Sequence, residues 1–379
     1  MSIEMRGVVT KREKRLFLTF PWRIYKNDLL WVPPLLSERA KVIDPGQGNF
    51  FKDGDAEIFI ALKDGKPAGT LCLAQDFNRR RAYGYKECMY GFVECIEDYE
   101  IFEAMFDFAE DWARERDMKA LYGPFNLDRE DSRGLLIEGR ERPPAILCGH
   151  QPAYYQGFFE RYGFEKDGED GLAYAIDINL ENPKVKRLMR LAEQVRKRHP
   201  EFSVRGANIA DMDNEIDRIV YLQNRALSHF SGHVPYTRTD IETMILPLID
   251  LVDLDLVLFA EVEGQPAGFF PGVPNFNEVL IHLNGLRYPW DALRYIRYQN
   301  LQPKCLSVKS AVVPPEYWDT GVAVLLFDEM ARRAAARGYT WADLSLTGDE
   351  NPDTWPLAHH IGAKIYKRYR FYNKTIDDG

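Results

Sequence analysis

The chain has 379 residues, enough for two domains of ordinary size, and 45% hydrophobic and 13% aromatic content suffices for two cores. Fifty-eight acidic against 49 basic residues leave a net charge of −9, which argues against a nucleic-acid coat, since that needs a basic field. Cys72, Cys88, Cys95, Cys148 and Cys305 show no CxxC pairing, no apolar run reaches membrane-spanning length, and the opening MSIEMRGVVTKREKR lacks a signal-peptide core. The expectation is a reduced, cytoplasmic protein with no membrane and no nucleic-acid partner.

In chain order, residues 3–10 read as a strand and 11–25 as a helix that ends at the turn Lys26-Asn27-Asp28. Trp31-Val32-Pro33-Pro34 is extended, because proline bars helix at the residue before it. Residues 56–62 and 67–74 form a hairpin around Asp64-Gly65. A strand at 90–96 leads to Asp98, a helix cap, and Ile101, Met105, Phe108 and Trp112 recur at helical spacing. A strand at 120–125, a helix at 152–162 and a strand at 172–178 follow, and the Pro-containing stretch 179–183 marks a boundary.

The second half opens on a basic helix, 184–198, whose apolar stripe is Val185, Leu188, Leu191 and Val195. A strand at 202–206, helices at 212–229 and 239–248, and a hairpin at 256–270 come next. Residues 273–302 read as an insertion. The order closes with a strand at 305–313, a helix at 321–337, a strand at 339–346, a helix at 352–361 and a strand at 364–374.

The two halves repeat. FIALKDGKPAG at 59–69 returns as LFAEVEGQPAG at 258–268, an offset of 199 residues that Gly163 and Gly362 share. The helix ends at Arg116 and Arg337 differ by 221, so the second copy carries about 22 extra residues after its hairpin. A period this long indicates duplicated domains, expected at 1–180 and 181–379. Each copy mixes strands and helices in an order that implies an α+β fold, one largely antiparallel sheet flanked by helices.

The junction most suited to chemistry is Val313-Pro314-Pro315-Glu316-Tyr317-Trp318-Asp319-Thr320-Gly321-Val322-Ala323. A strand stops at two prolines and a helix begins at small residues, where free N–H groups and the helix dipole can hold a phosphate; an ordinary helix capped by Thr320 is the alternative. This layout resembles the GNAT superfamily of acyl-CoA N-acyltransferases, whose motif here is Arg or Gln, two residues, Gly, one residue, then Gly or Ala. Gly321 and Ala323 match it, and Trp318 replaces the basic or amide residue. The resemblance implies two tandem GNAT-like domains and an acyl-CoA, acetyl-CoA or another, whose pyrophosphate rests on the backbone of Thr320, Gly321, Val322 and Ala323. It also implies a thioester carbonyl held near Val313. Asn351 matches the first residue of a second family motif, while Ala358 stands where the family has a thiolate-protonating Tyr; Tyr317 and Tyr366 are candidate substitutes. In the first copy the junction reads Glu97-Asp98-Tyr99-Glu100-Ile101-Phe102, and its carboxylates would repel a pyrophosphate by about 1 to 4 kcal/mol each.

The insertion offers Glu278 and His282, four apart, as a candidate base or as a polar rim. No zinc-binding spacing is present, and no metal is expected. Phe20-Pro21-Trp22-Arg23-Ile24-Tyr25 with Trp31-Val32-Pro33-Pro34 resembles a pattern in uncharacterised bacterial tandem-GNAT proteins. The reading is an acyl-CoA-dependent N-acyltransferase, with acetyl as first expectation, acting on a small-molecule amine as a monomer or homodimer. A tandem fold that binds a small ligand without catalysis, or an aminoacyl or long-chain acyl transferase, are the rivals.

Overall fold

The computed structural model describes residues 2–128, 132–229, 234–246, 249, 251–349 and 361–376. The first elements are β1 (Ile3–Gly7), α1 (Lys11–Thr19), α2 (Pro21–Ile24), α3 (Leu36–Val42), β2 (Gly54–Lys63), β3 (Lys66–Asp76) and α4 (Phe77–Tyr83). β4 (Glu87–Cys95), α5 (Tyr99–Arg114), β5 (Ala120–Gly123), β6 (Leu135–Glu138), α6 (Tyr154–Tyr162) and β7 (Glu165–Asp177) follow. The chain continues with α7 (Pro183–Arg198), β8 (Phe202–Gly206), α8 (Met212–Leu227), α9 (Arg238–Ile245), β9 (Val257–Val262), β10 (Gln265–Pro274), α10 (Asn277–Leu280) and α11 (Ala292–Tyr298). It ends with β11 (Cys305–Val308), α12 (Val322–Ala336), β12 (Trp341–Gly348) and β13 (Lys364–Thr375). The expected helix at 11–25 is broken at Pro21, which cannot donate to the preceding turn. The helix expected at 352–361 lies outside the described residues save its last position.

Contacts divide the chain into two compact units: Met1–Gly171, Asn277–Leu301 and Lys367–Gly379 form unit 1, and Leu172–Phe276 and Gln302–Tyr366 form unit 2. The units are not the sequence copies 1–180 and 181–379, because the insertion and most of β13 belong to unit 1. In unit 1, β1 to β4 are antiparallel neighbours, β4 and β5 are parallel, and β5 pairs antiparallel with β13 over Tyr372–Thr375. Ile101, Phe102, Met105, Phe106 and Ala109 of α5 and Phe159 of α6 are fully buried on this sheet. In unit 2, β8 to β11 are antiparallel, β11 and β12 are parallel, and residues 172–177 of β7 come next to β12. α12 packs Leu326, Met330 and Ala334 on one face of the sheet, and α8 and α9 pack Ile219, Leu222 and Ile241 on the other.

The repeated motif has the same backbone in both units. Asp64-Gly65 and Glu263-Gly264 all have positive φ, the tight hairpin turn that matches strand twist. The ladder then skips one residue in each hairpin, Ala68 in one and Ala267 in the other, and both alanines are buried. Gly69 and Gly268 come next. A Cβ on Gly69 would lie 2.5 Å from the Met105 sulfur, and one on Gly268 2.8 Å from Leu326 Cδ1. The Pro-Ala-Gly repeat therefore encodes a bulge followed by close approach of α5 or α12 to its sheet.

Candidate functional site

In unit 2, β11 and β12 run in register from Cys305 against Trp341 to Val308 against Leu344, and then part. Val312 turns back and exchanges two 2.9 Å hydrogen bonds with Phe269 of β10, while β12 runs on to Gly348. Polar side chains meet in the resulting fork. The fully buried Asp343 carboxylate accepts from Lys309 Nζ at 2.8 Å, from Ser345 Oγ at 2.8 Å and from the Tyr366 hydroxyl at 2.7 Å. Lys309 also donates to Ser345 Oγ. A buried charge pair is tolerated only when its remaining hydrogen-bonding capacity is met, and here three donors converge on one carboxylate.

The start of α12 lies just beyond the β11 segment. A 3-10 turn over Pro315–Thr320 leads into it, and Gly321 at φ 94° is its N-cap. No side chain makes a capping hydrogen bond of normal length: Thr320 Oγ1 is 3.5 Å from Val322 N and donates instead to the Tyr317 carbonyl at 2.7 Å. The helical ladder begins with Leu325 N bonding Gly321 O at 3.1 Å, which leaves the N–H groups of Val322, Ala323 and Val324 ahead of it. Together with the helix dipole these make an end suited to an anion. Trp318, at the family's Arg or Gln position, donates its indole N–H to the Val313 carbonyl at 2.7 Å and so ties the turn to the strand end. A Cβ on Gly321 would lie 2.7 Å from Val195 Cγ2, so α7 packs against this junction and only glycine fits. Between α7, α12 and the sheet lies an apolar cavity lined by Leu188, Phe270, Leu306, Phe327, Met330 and Ile361 among others.

Unit 1 has the same fork, and it is filled. β4 and β5 pair only from Glu87–Ala120 to Met89–Tyr122. Phe125 N then bonds the Tyr90 carbonyl at 2.7 Å, and Asn126 Oδ1 accepts from Phe92 N at 2.7 Å. The backbone approach is so close that a Cβ on Gly91 would lie 1.7 Å from Phe125 O. The start of α5 is occupied too: Asp98 accepts from Glu100 N at 3.2 Å, Lys63 pairs with both carboxylates, and Phe102 is buried in the core. Near the end of β4, Glu94 accepts from Tyr155 at 2.9 Å and from Tyr25 at 3.3 Å. Burial pushes its carboxyl up to about 7, against those two hydrogen bonds, which favour the ionised form.

The Phe20–Leu35 motif has a structural role in the same unit. Tyr25 stacks on Trp31 at 4.7 Å, Trp31 meets Trp22 edge-on, and the Trp22 indole donates to Asn284 Oδ1 at 2.8 Å. Gly285, at positive φ, closes against Trp22 and the Pro34 carbonyl. The motif is thus the seat of the insertion.

Of the residues expected from sequence, Val313, Tyr317, Trp318, Thr320, Gly321, Val322, Ala323 and Tyr366 lie in unit 2, and Glu278 and His282 in unit 1. α10 is a single turn, so the helical face expected to carry both Glu278 and His282 does not form; the His282 ring stacks on Tyr298 at 4.4 Å instead. Tyr317 packs against the unit 2 core, while Tyr366 joins the fork. Asn351 lies outside the described residues, as does Ala358. Sequence reading missed Lys309, Asp343 and Glu94. The signal for Asp343 was present, since an acid in the apolar run WADLSL of a central strand needs a buried partner.

The chain matches no protein-family model. It is 30% identical over 389 aligned positions to Protein YghO of Escherichia coli (strain K12), covering 98% of this chain and 95% of that one. It is 28% identical to the bacterial ceramide synthase of Caulobacter vibrioides, covering 97% and 96%. Among solved structures it is similar to a tandem GNAT protein from the clavulanic acid biosynthesis pathway, with TM-score 0.61, 13% identity and full coverage of both chains. It is also similar to a GCN5-related N-acetyltransferase from Sphaerobacter thermophilus, with TM-score 0.53, 14% identity and coverage of 100% and 96%. The duplicated hairpin, the forked sheets and these likenesses agree: the chain belongs to the family of YghO and has the fold of tandem GNAT proteins.

Proposed function

We propose that the protein is an N-acyltransferase that binds acyl-CoA on unit 2 and passes the acyl group to an amine. The observation that carries this reading is the contrast between the two forks. In unit 2 the strands part beside an α12 start free of strong caps, whereas in unit 1 backbone fills the fork and acids occupy the α5 start. The pyrophosphate is assigned to the N–H groups of Val322 to Val324, and the thioester to the fork beyond Val308. In the reaction the amine nitrogen attacks the thioester carbon, the C–N bond forms, the C–S bond breaks, the nitrogen gives up a proton and the thiolate gains one. Tyr366 is held as a donor to Asp343. The group we assign to the departing thiolate is Lys309, a cation in the fork.

A long-chain reading is favoured over acetyl transfer by one comparison. The ceramide synthase relative matches nearly end to end, and a ceramide is the amide of a fatty acid with a long-chain amino alcohol. The apolar cavity beneath α7 and α12 is the proposed seat of the acyl chain. Incubation with acetyl-CoA, palmitoyl-CoA and a panel of short and long amines, read by mass spectrometry, tests both levels. Amide from palmitoyl-CoA and a long-chain amine supports the finer reading. Amide from acetyl-CoA alone supports only the coarser one, and no amide from any pair removes both.

A further inference from the structure

The insertion in unit 1 exposes side chains that a soluble surface ordinarily hides. Trp290, Leu293 and Ile296 are 64%, 70% and 62% exposed, and Leu286 and Leu301 are also exposed. Trp290, Leu293 and Ile296 are spaced by three, which places them on one stripe from the 3-10 turn Pro289–Asp291 through α11. Trp290 is braced by stacking on Tyr288 at 4.7 Å, so its exposure is built in. Contiguous exposed apolar side chains of this size mark an interaction site.

The charges around the stripe have one sign. Arg294 and Arg297 are exposed on α11. Arg15 of α1 donates to the Arg287 carbonyl at 3.3 Å, which brings α1 beside the insertion with its exposed Lys11, Arg12, Arg15 and Leu16. The acids nearby are engaged internally. Asp291 is buried and accepts from Asn284, Tyr288 N and Arg294, and Glu13 is held in the capping box with Thr10. An apolar stripe with a Trp, flanked by arginines and borne on an amphipathic segment too short to cross a bilayer, has the chemistry of a peripheral contact with an anionic lipid surface.

We infer that the Leu286–Leu301 stripe and the basic face of α1 together dock the protein onto an anionic membrane surface. This revises the expectation of no membrane partner, which rested on the lack of a spanning segment; a peripheral contact needs none. It does not depend on the acyl-transfer reading, since it concerns binding alone.

The test is co-sedimentation of the full chain with vesicles of phosphatidylcholine, or of phosphatidylcholine and phosphatidylglycerol in equal parts. The protein is expected to bind the anionic vesicles and to be released by salt. Leu293→Ser with Ile296→Ser should weaken binding on the order of thirtyfold, as expected for losing two partly buried aliphatic side chains. Arg12→Glu with Arg15→Glu should weaken it on anionic vesicles only. No sedimentation with either vesicle, or variants that bind like the wild type, would overturn the inference. So would a concentration-dependent dimer in light scattering that the Leu293→Ser, Ile296→Ser pair dissolves, since the stripe would then be an interface between copies.

Discussion

Replacing Ala323 by Glu separates a phosphate-binding helix start from an ordinary one. Ala323 is the second residue of α12, half-buried, and its N–H is one of three ahead of the helical ladder. In the free protein a carboxylate there meets the positive end of the helix, stabilising by about 0.3 to 1 kcal/mol and offsetting a small loss of helix propensity. The melting temperature should therefore move by no more than about 2 °C. Toward a bound pyrophosphate the same carboxylate is repulsive. At about 4 Å the cost is roughly 1 kcal/mol in water and about 4 kcal/mol at a protein surface, so CoA affinity should fall between about fivefold and about a thousandfold. Ala323→Lys reverses the sign and should leave affinity equal or higher. Isothermal titration with CoA reads all three proteins. If Ala323→Glu binds CoA as tightly as the wild type, the diphosphate is not at this helix start. Gly321→Glu is a poorer probe, because φ 94° and the contact with Val195 would disrupt the junction whether or not CoA binds there.

Lys309→Met should destabilise by about 3 kcal/mol, because it strands the buried Asp343 carboxylate, and adding Asp343→Leu should recover most of that in urea unfolding. If Lys309 serves the leaving thiolate, acyl transfer by the double variant should stay low despite recovered stability, with CoA binding retained. Glu94 has a folded carboxyl raised from 4.5 to about 7, so its favourable contribution is complete below pH 4.5 and is lost as pH rises to about 7. Over that window wild type should lose at most about 3 kcal/mol from this group, and Glu94→Gln should not. Parallel pH–stability curves for the two would contradict the assignment.

The duplication was legible because its signals are local. Asp-Gly and Glu-Gly turns, the Ala bulge and the glycine against a helix each need a particular residue at a fixed place, so eleven positions carried the fold of both copies. The α12 junction was legible for the same reason: two prolines and a glycine punctuate it. The fork was not, because Lys309, Asp343 and Tyr366 come together from three separate strand segments. Nor was the fate of the insertion. Glu278 and His282 suggested one helical face, but chain folding there is set by Asn284 and Gly285 fitting onto Trp22, more than 250 residues away in sequence. The aromatic opening motif had looked like a family mark without a task, and its task is to receive that segment.

Amide formation from an acyl-CoA on unit 2 is the proposed reaction. Its most direct test is a single-turnover incubation of the protein with palmitoyl-CoA and a long-chain amino alcohol, with amide and free CoA both quantified by mass spectrometry. The wild type should give equal amounts of the two products, and Ala323→Glu at sub-saturating donor should give at least about fivefold less of both. Free CoA without amide, or amide formed equally well by Ala323→Glu under those conditions, would contradict it.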